Sequence, residues 1–157
     1  MIQSRWGQSR WGQFCGILTA MAVFCTAAPA LAAEAILEQH GKASYYGDAL
    51  NRKKTASGAI YNRNELTAAS PTLPLGTTAK VTNEATGKSV EVRVTDRGPH
   101  KRGRIIDVSN SAARELDMKR SGVARVKVEA TPSHQKTSQL KRDIAARANH
   151  QQLAKAK

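Results

Sequence analysis

Residues 41–129 read as a mainly β domain, a small closed barrel of short strands with one helix. Three observations predict this. Short stretches alternate apolar and polar residues with period two, most cleanly in Val90-Glu91-Val92-Arg93-Val94. Glycine and proline punctuate them, as at Gly47, Gly87 and Gly98-Pro99. One segment alone carries helix signals. Short strands with such turns favour a sandwich or barrel, and closure removes the edges that invite aggregation.

In chain order, residues 42–46 form a first strand that Gly47 ends. Residues 78–82 and 90–94 flank Asn83-Glu84-Ala85-Thr86-Gly87, a hairpin connection with glycine near its end. Residues 104–108 hold a buried-looking Ile105-Ile106 pair. Residues 109–118 are the helix, with Ser109 or Asn110 as cap and Ala112, Ala113 and Leu116 as its apolar face. Residues 123–129 alternate Val and Ala against Arg125 and Lys127 as a last strand.

The flanks differ in kind. Residues 1–13 are polar with Arg5, Arg10 and no acid, residues 14–28 are apolar, and Pro29-Ala30-Leu31-Ala32 closes the run with small residues. These are the three parts of a secretory signal peptide, so cleavage is expected after Ala32. The apolar run is short for a membrane span, which needs about 20 residues. Phe24 precedes Cys25 where a lipid-accepting cysteine needs a small residue, so no acylated anchor is read. Ser-Arg-Trp-Gly-Gln occurs at 4–8 and again at 9–13, a duplication inside the leader. Residues 33–40 read as a lead-in. Residues 130–157 read as a basic tail in which Leu140, Ile144 and Ala148 share a helical face. Without a visible partner such a weak stripe predicts fraying, so the tail is expected to be helical or disordered.

Export sets the chemistry available. Both cysteines, both tryptophans and both phenylalanines lie in the leader, so the 125 remaining residues have neither disulfide nor thiol chemistry. Their core must be built from Val, Ile, Leu and Ala, with Tyr45, Tyr46 and Tyr61 as the aromatics. The whole chain carries a formal charge of +13; without the leader's two arginines it is +11. An exported chain this basic is expected to meet anionic wall polymers, lipid phosphates or acidic glycans. Export and the loss of Phe and Trp argue against nucleic acid. A solvated basic surface with no dedicated partner is the plainer reading of the same charge.

Several motifs carry nothing. Gly87-Lys88-Ser89 mimics the end of a phosphate-binding loop, but Thr82 stands where that loop needs glycine. His40, His100, His134 and His150 lack metal-ligand spacing, so no metal and no cofactor are expected. No nucleophile elbow occurs. What remains is Asp96-Arg97-Gly98-Pro99, a lone carboxylate on a turn at a strand end, ahead of Arg104-Ile105-Ile106-Asp107. Ionisable groups on short loops held by rigid strands favour active-site chemistry. Asp also caps its own turn by accepting local N–H bonds, which is the structural alternative.

Residues 41–129 resemble the rare lipoprotein A (RlpA) family. The residues that carry the resemblance are Ala43-Ser44-Tyr45-Tyr46-Gly47, Thr55-Ala56-Ser57-Gly58, Leu66-Thr67-Ala68-Ala69, Thr72-Leu73-Pro74-Leu75-Gly76-Thr77, Val81-Thr82-Asn83, residues 92–99 and residues 103–109, in the family's order. The resemblance implies a six-stranded double-psi β-barrel in a septal or cell-wall protein that binds peptidoglycan glycan strands. It implies a lytic transglycosylase that prefers strands stripped of stem peptides. Such an enzyme cleaves after N-acetylmuramic acid without water, and one carboxyl can act first as acid and then as base. By resemblance Asp96 is the catalytic acid, with Ser70, Asp107, Arg97, Tyr46 and Thr67 supporting it or binding substrate. Asp107 could be a nearby carboxylate if the two strand ends meet, or a cap for the helix start near Ser109.

Three positions depart from the family. Ser70 stands where a histidine is usual, Ala59 where an acid is common, and Asn62 where a second acid often follows the tyrosine. Serine cannot carry a proton between groups near pH 7. Two functions therefore stand side by side: an exported transglycosylase of the periplasm or cell envelope, and a non-catalytic glycan-binding barrel similar to wall-loosening expansins, gripping polymer through Tyr45, Tyr46 and Tyr61. A monomer is expected, with divisome proteins as candidate partners.

Overall fold

The computed structural model describes residues 34–156. The proposed leader lies outside the described residues. Six strands close into a barrel: β1 (Leu37–Tyr45), β2 (Thr67–Ala69), β3 (Thr78–Asn83), β4 (Ser89–Asp96), β5 (Arg104–Val108) and β6 (Val123–Ala130). Their order around the barrel is β1-β5-β2-β4-β3-β6. The β1–β5 and β2–β4 pairs are parallel and the other four antiparallel. The mainly β closed barrel is therefore the fold. Two helices accompany it, α1 (Asn110–Glu115) and α2 (Ser138–Lys155).

The alternating valines fill the interior. Val81, Val92, Val94, Val108, Val126 and Val128 are buried there with Ala43, Ala68 and Ile106, and Leu116 and Met118 close it below α1. Among these core residues no aromatic ring occurs, so small β-branched side chains must interdigitate closely. Gly41 shows how closely: a Cβ there would lie 2.7 Å from Ile105 Cγ2 on the neighbouring strand. Ser109 caps α1 by accepting the Ala112 N–H at 3.2 Å.

One expectation is corrected and one alternative is decided. Half of the lead-in is strand, because β1 begins at Leu37 and pairs with β6 as far as Ala130. The tail, expected to be helical or disordered, is helical over Ser138–Lys155. Thr137 caps α2 by accepting the Leu140 N–H, and Ile144 and Ala148 are completely buried against the barrel. Arg147 Nη1 donates to Thr72 O at 2.8 Å, and Gln151 exchanges bonds with the Glu38 backbone. Burying one Ile contributes about 1.5–3 kcal/mol. That is enough to hold a helix that would fray alone.

A clasp ties β1 to the β3–β4 hairpin. His40 Nδ1 lies 2.7 Å from Glu84 Oε1, and Nε2 lies 2.7 Å from Glu38 Oε1. Both ring nitrogens can donate only in the imidazolium. The bond to Glu84, then that to Glu38, raises the His40 imidazole above its ordinary 6.5, and the same bonds lower both glutamates from 4.5. The raised histidine stabilises the fold below pH 6.5 and stops doing so as pH climbs through its folded-state value; the lowered glutamates stabilise above pH 4.5 and stop as pH falls through theirs. Thermal melts of wild type and His40→Gln should therefore differ most between pH 4.5 and 6.5, and the difference should shrink as pH rises above 6.5. A difference that persists unchanged at pH 9 contradicts the clasp.

Candidate active site

The barrel's register builds the site. Ala69 on β2 pairs with Asp96 of β4 on one side and with Asp107 of β5 on the other, and Asp107 pairs with Ser44 of β1. Ser44, Asp107, Ala69 and Asp96 thus form one row across four adjacent strands. All four line an open cleft of about 600 Å³. Asp96 and Asp107 are two strand spacings apart, about 10 Å between backbones. The alanine methyl between them leaves the floor clear.

Asp96 is half-buried and held by three donors. Oδ1 accepts the Ala56 N–H at 2.9 Å and the Arg97 N–H at 2.8 Å. Oδ2 accepts the Tyr46 hydroxyl at 3.2 Å. The Arg97 bond is the local cap expected of an Asp on a turn. The other two donors come from distant segments, so the carboxylate is both cap and site. Burial, and next the charge and hydrogen bond of Asp96, push the Tyr46 phenol well above its ordinary range. Tyr46 therefore stays a donor. Its ring stacks obliquely on Tyr61 at 4.7 Å.

Asp107 is tied down from two sides. Ser44 Oγ donates to Oδ1, and Arg104 Nη2 donates to Oδ2 at 3.3 Å. It does not cap α1, since Ser109 does. Arg97 lines the cleft, but its guanidinium is committed to backbone: Nη1 donates to Ser70 O at 3.0 Å and Leu73 O at 2.7 Å. Ser70 and Thr67 are buried and do not line this cleft. Ser70 Oγ accepts the Leu73 N–H at 3.1 Å, closing the turn that Arg97 grips, and its own N–H donates to Asp96 O at 3.2 Å. Its hydroxyl supports a loop and does not face a ligand. Thr67 Oγ1 is buried without a partner among the described residues. Of the three tyrosines offered as polymer-gripping, Tyr45 and Tyr46 line the cleft and Tyr61 is buried beside it.

The structure adds residues the sequence did not single out. His100, Lys101 and Arg104 also line the cleft, and the last two bring fixed positive charge to it. The signal was available: His100 and Lys101 follow Gly98-Pro99 on the loop that leaves Asp96, and Arg104 opens β5 where that loop ends.

A family model for lytic transglycolases matches residues 38–128, more than half of the chain. The chain belongs to that family. It is 46% identical over 112 residues to the probable endolytic peptidoglycan transglycosylase RlpA of Treponema pallidum, covering 71% of this chain and 35% of that protein. It is 53% identical over 96 residues to the endolytic peptidoglycan transglycosylase RlpA of Rickettsia felis, covering 59% and 42%. The Rickettsia bellii protein of that name is 46% identical over 120 residues, covering 74% and 52%. The chain thus spans about a third to a half of the length of these relatives. Among solved structures, the Streptomyces papain inhibitor superimposes with a TM-score of 0.49 at 22% identity, covering 59% of this chain and 94% of that one. The family match runs from Glu38 to Val128, and the residues lining the cleft all lie within it.

Replacing Ser70 by Ala leaves the buried Leu73 N–H without its acceptor. Chemical denaturation should show a loss of about 1–2 kcal/mol for Ser70→Ala. A change below about 0.3 kcal/mol contradicts the supporting role.

Proposed function

We propose that the protein is an exported endolytic peptidoglycan transglycosylase of the cell envelope that cuts glycan strands to 1,6-anhydro-muramic ends. The observation that carries this reading is Asp96: a half-buried carboxylate, fixed by three donors, at the wall of an open cleft in a lytic transglycolase barrel. Cleavage without water requires one proton delivered to the bridging oxygen and one taken from the sugar's 6-hydroxyl. Asp96 is the group assigned to that exchange.

The positive charge at the cleft supports a preference for strands that lack stem peptides. Such strands expose the lactyl carboxylate of each muramic acid. Lys101 supplies positive charge beside the cleft to receive it, next to Arg104, which is paired with Asp107. Shaping of strands at the septum, alone or with divisome proteins, is the role this preference suits. The burial of Ser70, where the family has histidine, favours the second reading, a glycan-binding barrel without catalysis. The two separate in one experiment.

Purified protein is incubated with peptide-free glycan strands and the products are weighed by mass spectrometry. Wild type should yield anhydro-ended fragments, and Asp96→Asn should yield them about 10²–10⁴ times more slowly. Co-sedimentation with walls but no anhydro ends from wild type would leave only the binding barrel.

A further inference from the structure

We propose that His100 is the acid that protonates the bridging oxygen, leaving Asp96 to act as the base. The proposal rests on the transglycosylase reading and divides between two side chains the proton work that reading gives to one.

The first observation is placement. Of the histidines among the described residues, His100 is the one that lines the cleft. Gly98 has φ +125°, a conformation that suits glycine, and there the chain turns back after Asp96. The His100 ring folds over this turn. Its Cδ2 and Nε2 lie 3.9 Å from where a Gly98 Cβ would be. The imidazole is exposed, and neither ring nitrogen has a hydrogen-bond partner among the described residues. It is therefore free to bond a ligand in the cleft.

The second observation is donor accounting. Every hydrogen bond at Asp96 is accepted by it and none donated. Donors thus face both Asp96 oxygens, which places the carboxyl to accept a hydroxyl proton from a ligand. Asp107 likewise only accepts, from Ser44 and Arg104. The Tyr46 hydroxyl is committed to Asp96. Lysine and arginine, present as Lys101 and Arg104, ordinarily release no proton near neutral pH. Imidazole is the side chain that does.

The step then balances. The C1–O bond to the next sugar breaks as protonated His100 gives its proton to the departing oxygen, which becomes a free hydroxyl. The muramic 6-hydroxyl oxygen bonds to C1, and its proton passes to the Asp96 carboxylate. Asp96 returns that proton to solvent and His100 takes one up. No water enters the product. Two groups with opposite starting protonation states give a bell-shaped pH–rate profile.

The test is the cleavage rate of the full protein on peptide-free glycan strands from pH 4 to 9. Wild type, His100→Ala and Asp96→Asn are compared, with thermal melts to establish that each is folded. His100→Ala should melt like wild type, lose about 10²-fold or more in rate, lose the alkaline limb of the profile, and regain rate when free imidazole is added. A folded His100→Ala with wild-type rate and profile, while Asp96→Asn is inert, overturns the role of His100 and leaves the transglycosylase reading standing. A rate loss that keeps the alkaline limb and is not rescued by imidazole also overturns it, because it marks a packing role. A wild type that makes no anhydro ends removes both.

Discussion

The site depends on the shared register at Ala69. One small residue on a three-residue strand pairs with Asp96 on one side and Asp107 on the other. Both parallel pairings shift register beside this row, between Lys42 and Ala43 and between Ala68 and Ala69. Such irregularities re-aim side chains near barrel rims. Because successive strand residues face opposite ways, a slip of one residue would turn both carboxylates away from the cleft. Barrel closure prevents that slip, since every strand is fixed by two neighbours.

Around that row the chain spends most of its polar bonds on holding loops. Asp96 gathers the ends of β1 and β4 and the 55–57 turn, whose Ser57 N–H also bonds Thr95 O at 3.0 Å. Arg97 grips the 70–73 loop by two carbonyls from one side, and Arg147 of α2 holds Thr72 O from the other. The terminal helix therefore reaches the site through one shared loop. Arg97 and Ser70 serve the same loop, so two residues expected to support the acid do so by holding that loop. Among the described residues, His100 and Lys101, on the loop that leaves β4, line the cleft without a side-chain hydrogen bond.

Strands of five or more residues were legible in the sequence, by alternation at 90–94 and by the apolar Ile105-Ile106 pair at 104–108. The 90–94 run lies inside Ser89–Asp96, and 104–108 coincides with Arg104–Val108. Thr67–Ala69 could not be read by period, because three residues buried on every side show no alternation. The stripe of Leu140, Ile144 and Ala148 was visible, but its partner is the outside of the barrel, which no local pattern announces. Asp96 was legible because its turn motif and its strand agree. His100 was not, because no local pattern marks a histidine on a loop as facing a cleft. Its neighbourhood with Tyr46, 54 positions earlier, exists only once the barrel has closed.

The central claim is that the Asp96 carboxyl stands at the sugar bridge. A crystal structure of Asp96→Asn with a bound peptide-free glycan tetrasaccharide tests it most directly. The account predicts the bridging oxygen and 6-hydroxyl of one muramic acid over the row of Ser44, Asp107, Ala69 and residue 96, with the side chain of residue 96 within about 3 Å of one of them. A glycan seated elsewhere on the barrel, with this cleft empty, would contradict it.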